Sequence, residues 1–227
     1  MSVELRVISM GALPAHPLRG EKGSLRPGHL STTLLSVDDR KILVDPSLPG
    51  KILLDRLQER SGVHPGEITD VFLSTFRPES RRGLPLFEDA RWLISERERE
   101  SVGVGLVEAF QKAEEAGDQD LCTTVREEIA ILRRCEAAPD SLAENIDLFP
   151  LPGVTAGLSG LLVAMPQWTI MIASDAVPTI EHLEAGQVMQ NCSDIEAAQE
   201  SLREVVEIAD LVIPGRDGLI PNPLRQW

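Results

Sequence analysis

Lys41-Ile42-Leu43-Val44-Asp45 is an apolar strand ending on a carboxylate. Val71-Phe72-Leu73-Ser74 is a second such strand, and it runs into the polar loop Thr75-Phe76-Arg77-Pro78-Glu79-Ser80-Arg81-Arg82-Gly83. A short apolar run that stops abruptly at charge, proline and glycine is the pattern of a buried strand whose end opens on a loop. Between the two, Lys51 to Arg60 places Ile52, Leu53, Leu54 and Leu57 at helical spacing, and Ser61-Gly62 stops it. A helix that joins one buried strand to the next moves the architecture toward layered α/β. Upstream, Val3 to Met10 and Ser31 to Val37 alternate as strands, and Asp38-Asp39 turns the chain back as a hairpin into Lys41 to Val44.

Downstream, the period changes. Leu106 and Phe110 fall four apart, then Leu121, Val125, Ile129 and Leu132 repeat helically, which predicts a helical hairpin over about 99–136, broken near Gly117. Its opposite face carries Glu127, Glu128, Arg133 and Arg134. The apolar stripe must be covered, by the chain's own core or as a lid or dimer face. Strands return at Ile146 to Phe149, Leu158 to Ala164 and Thr169 to Ala173, the last two separated by a Pro166-Gln167 turn. Asp194 N-caps a helix to Ile208 with Ile195, Leu202, Val205 and Ile208 on one face, and Leu211 to Ile213 is a final strand.

A chain of 227 residues without an interdomain linker or internal repeat reads as one domain, 1–227. Its 42% hydrophobic and 26% charged residues suffice for a full core. The balance of 36 acidic against 22 basic residues gives a net charge of −14, which repels phosphate backbones and anionic lipid, so neither nucleic acid nor membrane is an expected partner. Cys122, Cys135 and Cys192 form no CxxC pair and read as buried thiols of a cytoplasmic protein.

Five segments, in order, resemble the signature regions of the metallo-β-lactamase superfamily. Ile42 to Asp45 is similar to the strand that ends in aspartate, and Leu73 to Gly83 lies where that family has its THxHxDH loop. Pro152-Gly153-Val154-Thr155-Ala156-Gly157 resembles its PGHTPG turn, Ser174-Asp175-Ala176 its GDA strand end, and Pro214-Gly215-Arg216-Asp217 its closing PGHD. The resemblance implies a four-layer αββα sandwich of two mixed β-sheets flanked by helices. It also implies a hydrolase in which histidines and carboxylates hold zinc or iron, and the metal activates a water.

Matched position by position, the family's histidines become Thr75, Arg77, Ser80, Val154 and Arg216, and its loop aspartate becomes Glu79. Asp175 alone still matches a metal-binding position. An arginine stays protonated and cannot ligate. At ~4 Å and an effective dielectric of ~20, a unit charge against a dication costs about 8 kcal/mol. The expectation is therefore a chain without metal or other cofactor, a non-catalytic pseudo-hydrolase whose former active site comprises Thr75, Arg77, Glu79, Ser80, Val154, Asp175, Arg216 and His29.

In that site Arg77 and Arg216 supply the positive charge, with Asp175 and Glu79 as partners. The network is either purely structural, or forms with Arg81 or Arg82 a basic pocket for a small anionic ligand; a protein partner, or a homodimer through the hairpin, are the other interactions expected. The alternative is a hydrolase with an altered or relocated centre. His16, His29 and His182 with Asp175 offer one such zinc site, although their spacing reads more simply as surface or capping histidines, with His64 in a turn. A metal-free nucleophile has no support around Ser74, Thr75 or Ser80. Cys192 precedes a helix whose dipole would lower its thiol pKa, against an ordinary role in packing.

Overall fold

Within Arg40–Val44, Ile42 and Val44 enter one core and Leu43 another. Val71 and Leu73 likewise separate from Phe72, and Ile170 and Ile172 from Met171. Strands buried on both faces read as continuous apolar runs, and three separate cores require four layers.

The computed structural model describes residues 3–225 and contains those layers. One six-stranded sheet runs in the order β1 (Glu4–Ser9), β2 (Thr32–Val37), β3 (Arg40–Val44), β4 (Asp70–Leu73), β5 (Arg91–Ile94), β6 (Cys135–Ala137). It is antiparallel through β3 and parallel from there on. The other runs β7 (Ser141–Ala143), β8 (Ile146–Pro150), β9 (Ser159–Ala164), β10 (Thr169–Ser174), β11 (Leu211–Pro214), β12 (Ile220–Pro221), with only β10 and β11 parallel.

The middle core lies between the sheets. On the outside of the first sheet, α1 (Gly50–Ser61), α2 (Glu96–Ala116) and α3 (Gln119–Arg134) bury Leu53, Leu57 and Leu132 against Leu43, Val71 and Leu73. On the outside of the second, α4 (Ile180–Ala185) and α5 (Ile195–Ile208) bury Leu183, Leu202 and Val205 against Met171 and Val212. This is the αββα sandwich of two mixed sheets that the five segments imply. No helix among the described residues is long and apolar enough to cross a membrane.

The helical hairpin forms, but it begins at Glu96, because the Ser95 hydroxyl caps the Glu98 amide and itself donates to the Gly157 carbonyl. It ends at Arg134, where β6 starts inside the stretch that periodicity assigns to helix. Val102, Leu106, Ile131 and Leu132 pack it on the chain's own core, while Val104, Val107 and Leu121 remain exposed. Sequence periodicity misses β5, β6, β7, β12 and α4, none longer than six residues and so too short to establish a period.

Candidate functional site

The parallel pairs β3–β4 and β10–β11 direct their C-terminal ends to one rim of the sandwich, and there the chain collects polar side chains. Asp45 and Ser174, both non-glycine residues, sit there in left-handed backbone conformation with φ of 47° and 50°. Such conformations are held by their surroundings. Asp45 Oδ1 accepts from the Ser74 amide at 2.9 Å and Oδ2 from the Ser74 hydroxyl at 2.6 Å, and the Ser74 and Ser174 hydroxyls meet at 2.7 Å. Burial pushes Asp45 up to about 7; the Ser74 hydrogen bonds oppose this and the charge of Asp175 adds to it.

Next to Ser174, Asp175 takes both ends of one guanidinium. Arg216 Nε reaches Asp175 Oδ1 and Nη2 reaches Oδ2, each at 2.8 Å, and Nη2 also donates to Glu79 Oε2 at 2.7 Å. The remaining nitrogen, Nη1, has only the Ala12 carbonyl, at 3.4 Å, among the described residues. Burial alone would lower the Arg216 pKa, but Asp175 and Glu79 outweigh it and raise the guanidinium above its ordinary value. One arginine therefore bridges the β10 end, the β11 end and the loop after β4.

The expected pairing of two arginines with two carboxylates is not what forms. Arg77 points elsewhere, with Nη2 donating to the carbonyls of Val154 at 3.0 Å and Asn191 at 3.4 Å and no carboxylate partner among the described residues. Arg81 is buried, donates to the Phe76 carbonyl, stacks on the Phe76 ring and pairs with Glu128. Arg82 is exposed. Thus no single basic pocket unites the four: Arg216 and Glu79 line a cavity of about 480 Å³, whereas Arg77 and Arg81 line a separate cleft of about 510 Å³.

Thr75, Ser80 and Val154 are buried and hold backbone together. The Ser80 hydroxyl donates to the Thr75 and Arg77 carbonyls, closing the loop on itself. His29 is not in the site. Its ring lies within hydrogen-bond distance of the Met10 and Pro27 carbonyls and lines a groove beside α1, because the Ala12–His29 bridge fixes the backbone with the ring on the other side.

One constellation escaped sequence reasoning, and a second was grouped with the wrong partners. Glu98 is buried, with Oε1 accepting from the Phe76 amide and Oε2 from the Thr155 hydroxyl and the Gly157 amide. Ser95-x-x-Glu98 spells a capping box, yet the carboxylate ties two loops to the start of α2 and leaves the helix end to Ser95 alone.

His16 and His182, expected at the surface or as caps, are buried with ring centroids 5.4 Å apart. The Thr179 hydroxyl lies between them, 3.2 Å from His16 Nε2 and 2.9 Å from His182 Nδ1, and Glu181 accepts from His16. Burial raises the cost of charging the His182 ring, and with His16 beside it His182 is held below its ordinary pKa. Only the long-range packing of the 10–30 loop on α4 brings them together, and no sequence spacing marks it. With His29 on another face, the four-ligand zinc site of His16, His29, His182 and Asp175 does not assemble. No three His, Cys, Asp or Glu side chains among the described residues gather as cation ligands.

Comparison with known proteins places the fold. A candidate metallo-β-lactamase from Thermotoga maritima superposes over 97% of this chain and 100% of its own, with a TM-score of 0.68 at 18% identity. AidC, a dizinc quorum-quenching lactonase, aligns over 86% of this chain and 76% of its own, with a TM-score of 0.66 at 19% identity. A quorum-quenching N-acyl homoserine lactone lactonase aligns over 91% and 86%, with a TM-score of 0.60 at 18% identity. No family model and no curated protein matches the sequence. The chain has the fold of the metallo-β-lactamase superfamily.

Proposed function

We propose that this chain is a non-catalytic protein of the metallo-β-lactamase fold, a pseudo-hydrolase, in which one guanidinium takes over the electrostatic role of the metal and the re-lined pocket binds a small anion. The observation that carries the reading is the three-way contact of Arg216 with Asp175 and Glu79. Both oxygens of Asp175 and one of Glu79 are engaged by a group that repels cations, and Thr75 and Val154 add a buried hydroxyl and an alkyl chain in place of imidazoles. This donor set does not fit a zinc or iron ion, which needs three or four converging electron-pair donors.

Arg77 supplies the anion site. Its Nη2 is held by two carbonyls, which compete with a ligand far less than a carboxylate would, and it opens on the 510 Å³ cleft beside Thr155 and Ser193. Protein purified without chelator is expected to contain less than a tenth of an equivalent of zinc, iron or manganese. Millimolar phosphate or acetate is expected to raise its unfolding temperature, and Arg77→Met to abolish that rise. Stoichiometric metal, or equal anion stabilisation of the variant, would overturn the reading.

A second reading, a hydrolase with an altered centre, draws on one observation. His182 lines the 480 Å³ cavity with Nδ1 engaged by Thr179, in a fold whose similar solved structures include lactonases. Turnover of ester, lactone, thioester or phosphodiester substrates, with and without added zinc, manganese or iron, decides between the two. Activity lost on Asp175→Ala favours the hydrolase. A homodimer through the helical hairpin, over the exposed Val104, Val107 and Leu121, is tested by light scattering.

A further inference from the structure

The two sheets have four edges. Those at β6, β7 and β12 are three, three and two residues long, whereas β1 at the remaining edge is six. Proteins keep exposed edges short or covered, because a row of free amides and carbonyls pairs with any extended chain that reaches it. Beyond its ladder with β2, β1 makes no backbone hydrogen bond among the described residues.

Beside this edge runs a groove of about 550 Å³, floored by β1 and walled by α1 and Gly218-Leu219. Met10, Ile52 and Leu219 line it while 64%, 53% and 43% exposed, a gathering of large apolar side chains in water. Its charge runs against the chain: on a protein of net charge −14, the lining holds Arg56, Arg60 and His29 and no aspartate or glutamate. Arg56 shares its charge with Glu59 along the helix, but the Arg60 guanidinium has no carboxylate partner among the described residues.

We infer that the groove between the open edge of β1, helix α1 and Gly218-Leu219 is a docking site for an extended segment of a partner protein, apolar and acidic in alternation, which adds to the first sheet as a seventh strand. Main-chain hydrogen bonds to β1 give such a segment its affinity, and side chains on alternate positions give its specificity. Apolar side chains on one face of the added strand meet Met10 and Leu219, and the carboxylates on the other face meet the α1 wall at Arg56 and Arg60, with Ile52 one turn before Arg56 on that wall. Met10 also borders a small cavity beside His16 and Arg216, but no residue of this groove lines the 480 Å³ cavity or the cleft at Arg77, so the inference goes beyond the pocket reading and is tested without it.

The test is selection of a phage-displayed random nonapeptide library on the full chain. The consensus is then synthesised with a fluorescein label and measured by fluorescence anisotropy against wild type, Arg60→Glu and Ile52→Glu. Both substituted residues are exposed, and unchanged unfolding temperatures establish that the variants fold. The expected result is enrichment of peptides alternating β-branched residues with Asp or Glu, at least ten-fold weaker binding to each variant, and slowed hydrogen exchange of the β1 amides on binding. Failure to enrich such peptides, binding indifferent to both variants, or a wild-type dimer by light scattering that Ile52→Glu dissociates, would each overturn the inference; the last would assign the edge to a second copy of the chain.

Discussion

Arg216 and Asp175 meet as a two-point pair, Nε to Oδ1 and Nη2 to Oδ2 at 2.8 Å each, with both side chains 1% exposed. Burying two charges costs several kcal/mol per ion, and only good geometry with further hydrogen bonds offsets it. Glu79 supplies the further bond, and the Ala12 carbonyl lies near the last nitrogen. Such a pair adds little net stability over an apolar substitute of the same shape, but it is strongly sensitive to the loss of one member.

Arg216→Met should therefore destabilise the chain by about 3–5 kcal/mol, since it leaves Asp175 buried without a counter-charge. Arg216→Lys should fall between, keeping the charge and losing the fork. The double variant Arg216→Met with Asp175→Leu should recover most of the loss. Urea unfolding of the four proteins measures this; a loss below about 1 kcal/mol for Arg216→Met would mean that the network is not what holds the rim together.

Asp45 makes a prediction of opposite character, because its carboxyl is raised to about 7 by burial. Unfolded, it titrates near ~3.9. Between those values the folded state holds a proton that the unfolded state has released, so this group's contribution to stability is full below pH ~4, declines as pH rises, and is gone above pH ~7. The difference amounts to at most about 4 kcal/mol. Asp45→Asn cannot titrate; its amide oxygen accepts from the Ser74 amide and its NH₂ donates to the Ser74 hydroxyl, whose proton turns to Ser174. Relative to wild type, Asp45→Asn should gain stability from pH ~4 to pH ~7 and level off above that in urea titrations. Parallel pH curves for the two proteins would refute this.

What the sequence made legible follows from how local each signal is. Ile42-Leu43-Val44 spells a strand buried on both sides, and Pro152-Gly153 and Pro214-Gly215 mark turns at strand ends, so layers and rim could be read from short windows. The partner of each charge could not. Arg77 and Arg216 are equivalent in the segments that carry the resemblance, yet only one reaches the carboxylates, because Arg77 is drawn to the Val154 and Asn191 carbonyls across the loop. His29 and His16 lie in the same long loop, and the Ala12–His29 bridge turns one ring out while α4 takes the other in. These outcomes depend on contacts between distant parts of the chain, and residue type does not encode them.

Two glycines that look alike in sequence should behave oppositely. A Cβ at Gly157 would lie 2.0 Å from the Glu98 amide nitrogen and 2.4 Å from its Cα, so the PGHTPG-like turn packs directly on the backbone of the first turn of α2. Gly157→Ala must separate them and break the bonds that Glu98 makes; a loss of about 3 kcal/mol or more is expected. Gly105, in the middle of α2, has nothing within 4 Å of the same position. Gly105→Ala should raise stability by about 0.5–1 kcal/mol through helix propensity alone. Thermal unfolding compares them, and a destabilised Gly105→Ala would contradict the exposed placement of that face.

The three thiols test the packing of the hairpin and of the cleft at Arg77. Cys122 and Cys135 are 1% exposed, and burial pushes Cys135 up to about 11 against the opposing charges of Arg81, Arg99 and Arg134. Cys192 is half-buried; burial raises it too, with Arg77 pulling the other way, and its Sγ donates to the Met189 carbonyl at 2.8 Å. The helix dipole that sequence position offers it does not win, because Asp194 caps α5 and adds an opposing charge. At pH 8 one thiol of the native protein should react with a disulfide reagent, slowly, and all three after unfolding. Arg77→Met should slow that one reaction further by removing a cation that favours the thiolate, whereas fast reaction of two or more native thiols would show that the hairpin does not seal Cys122 and Cys135.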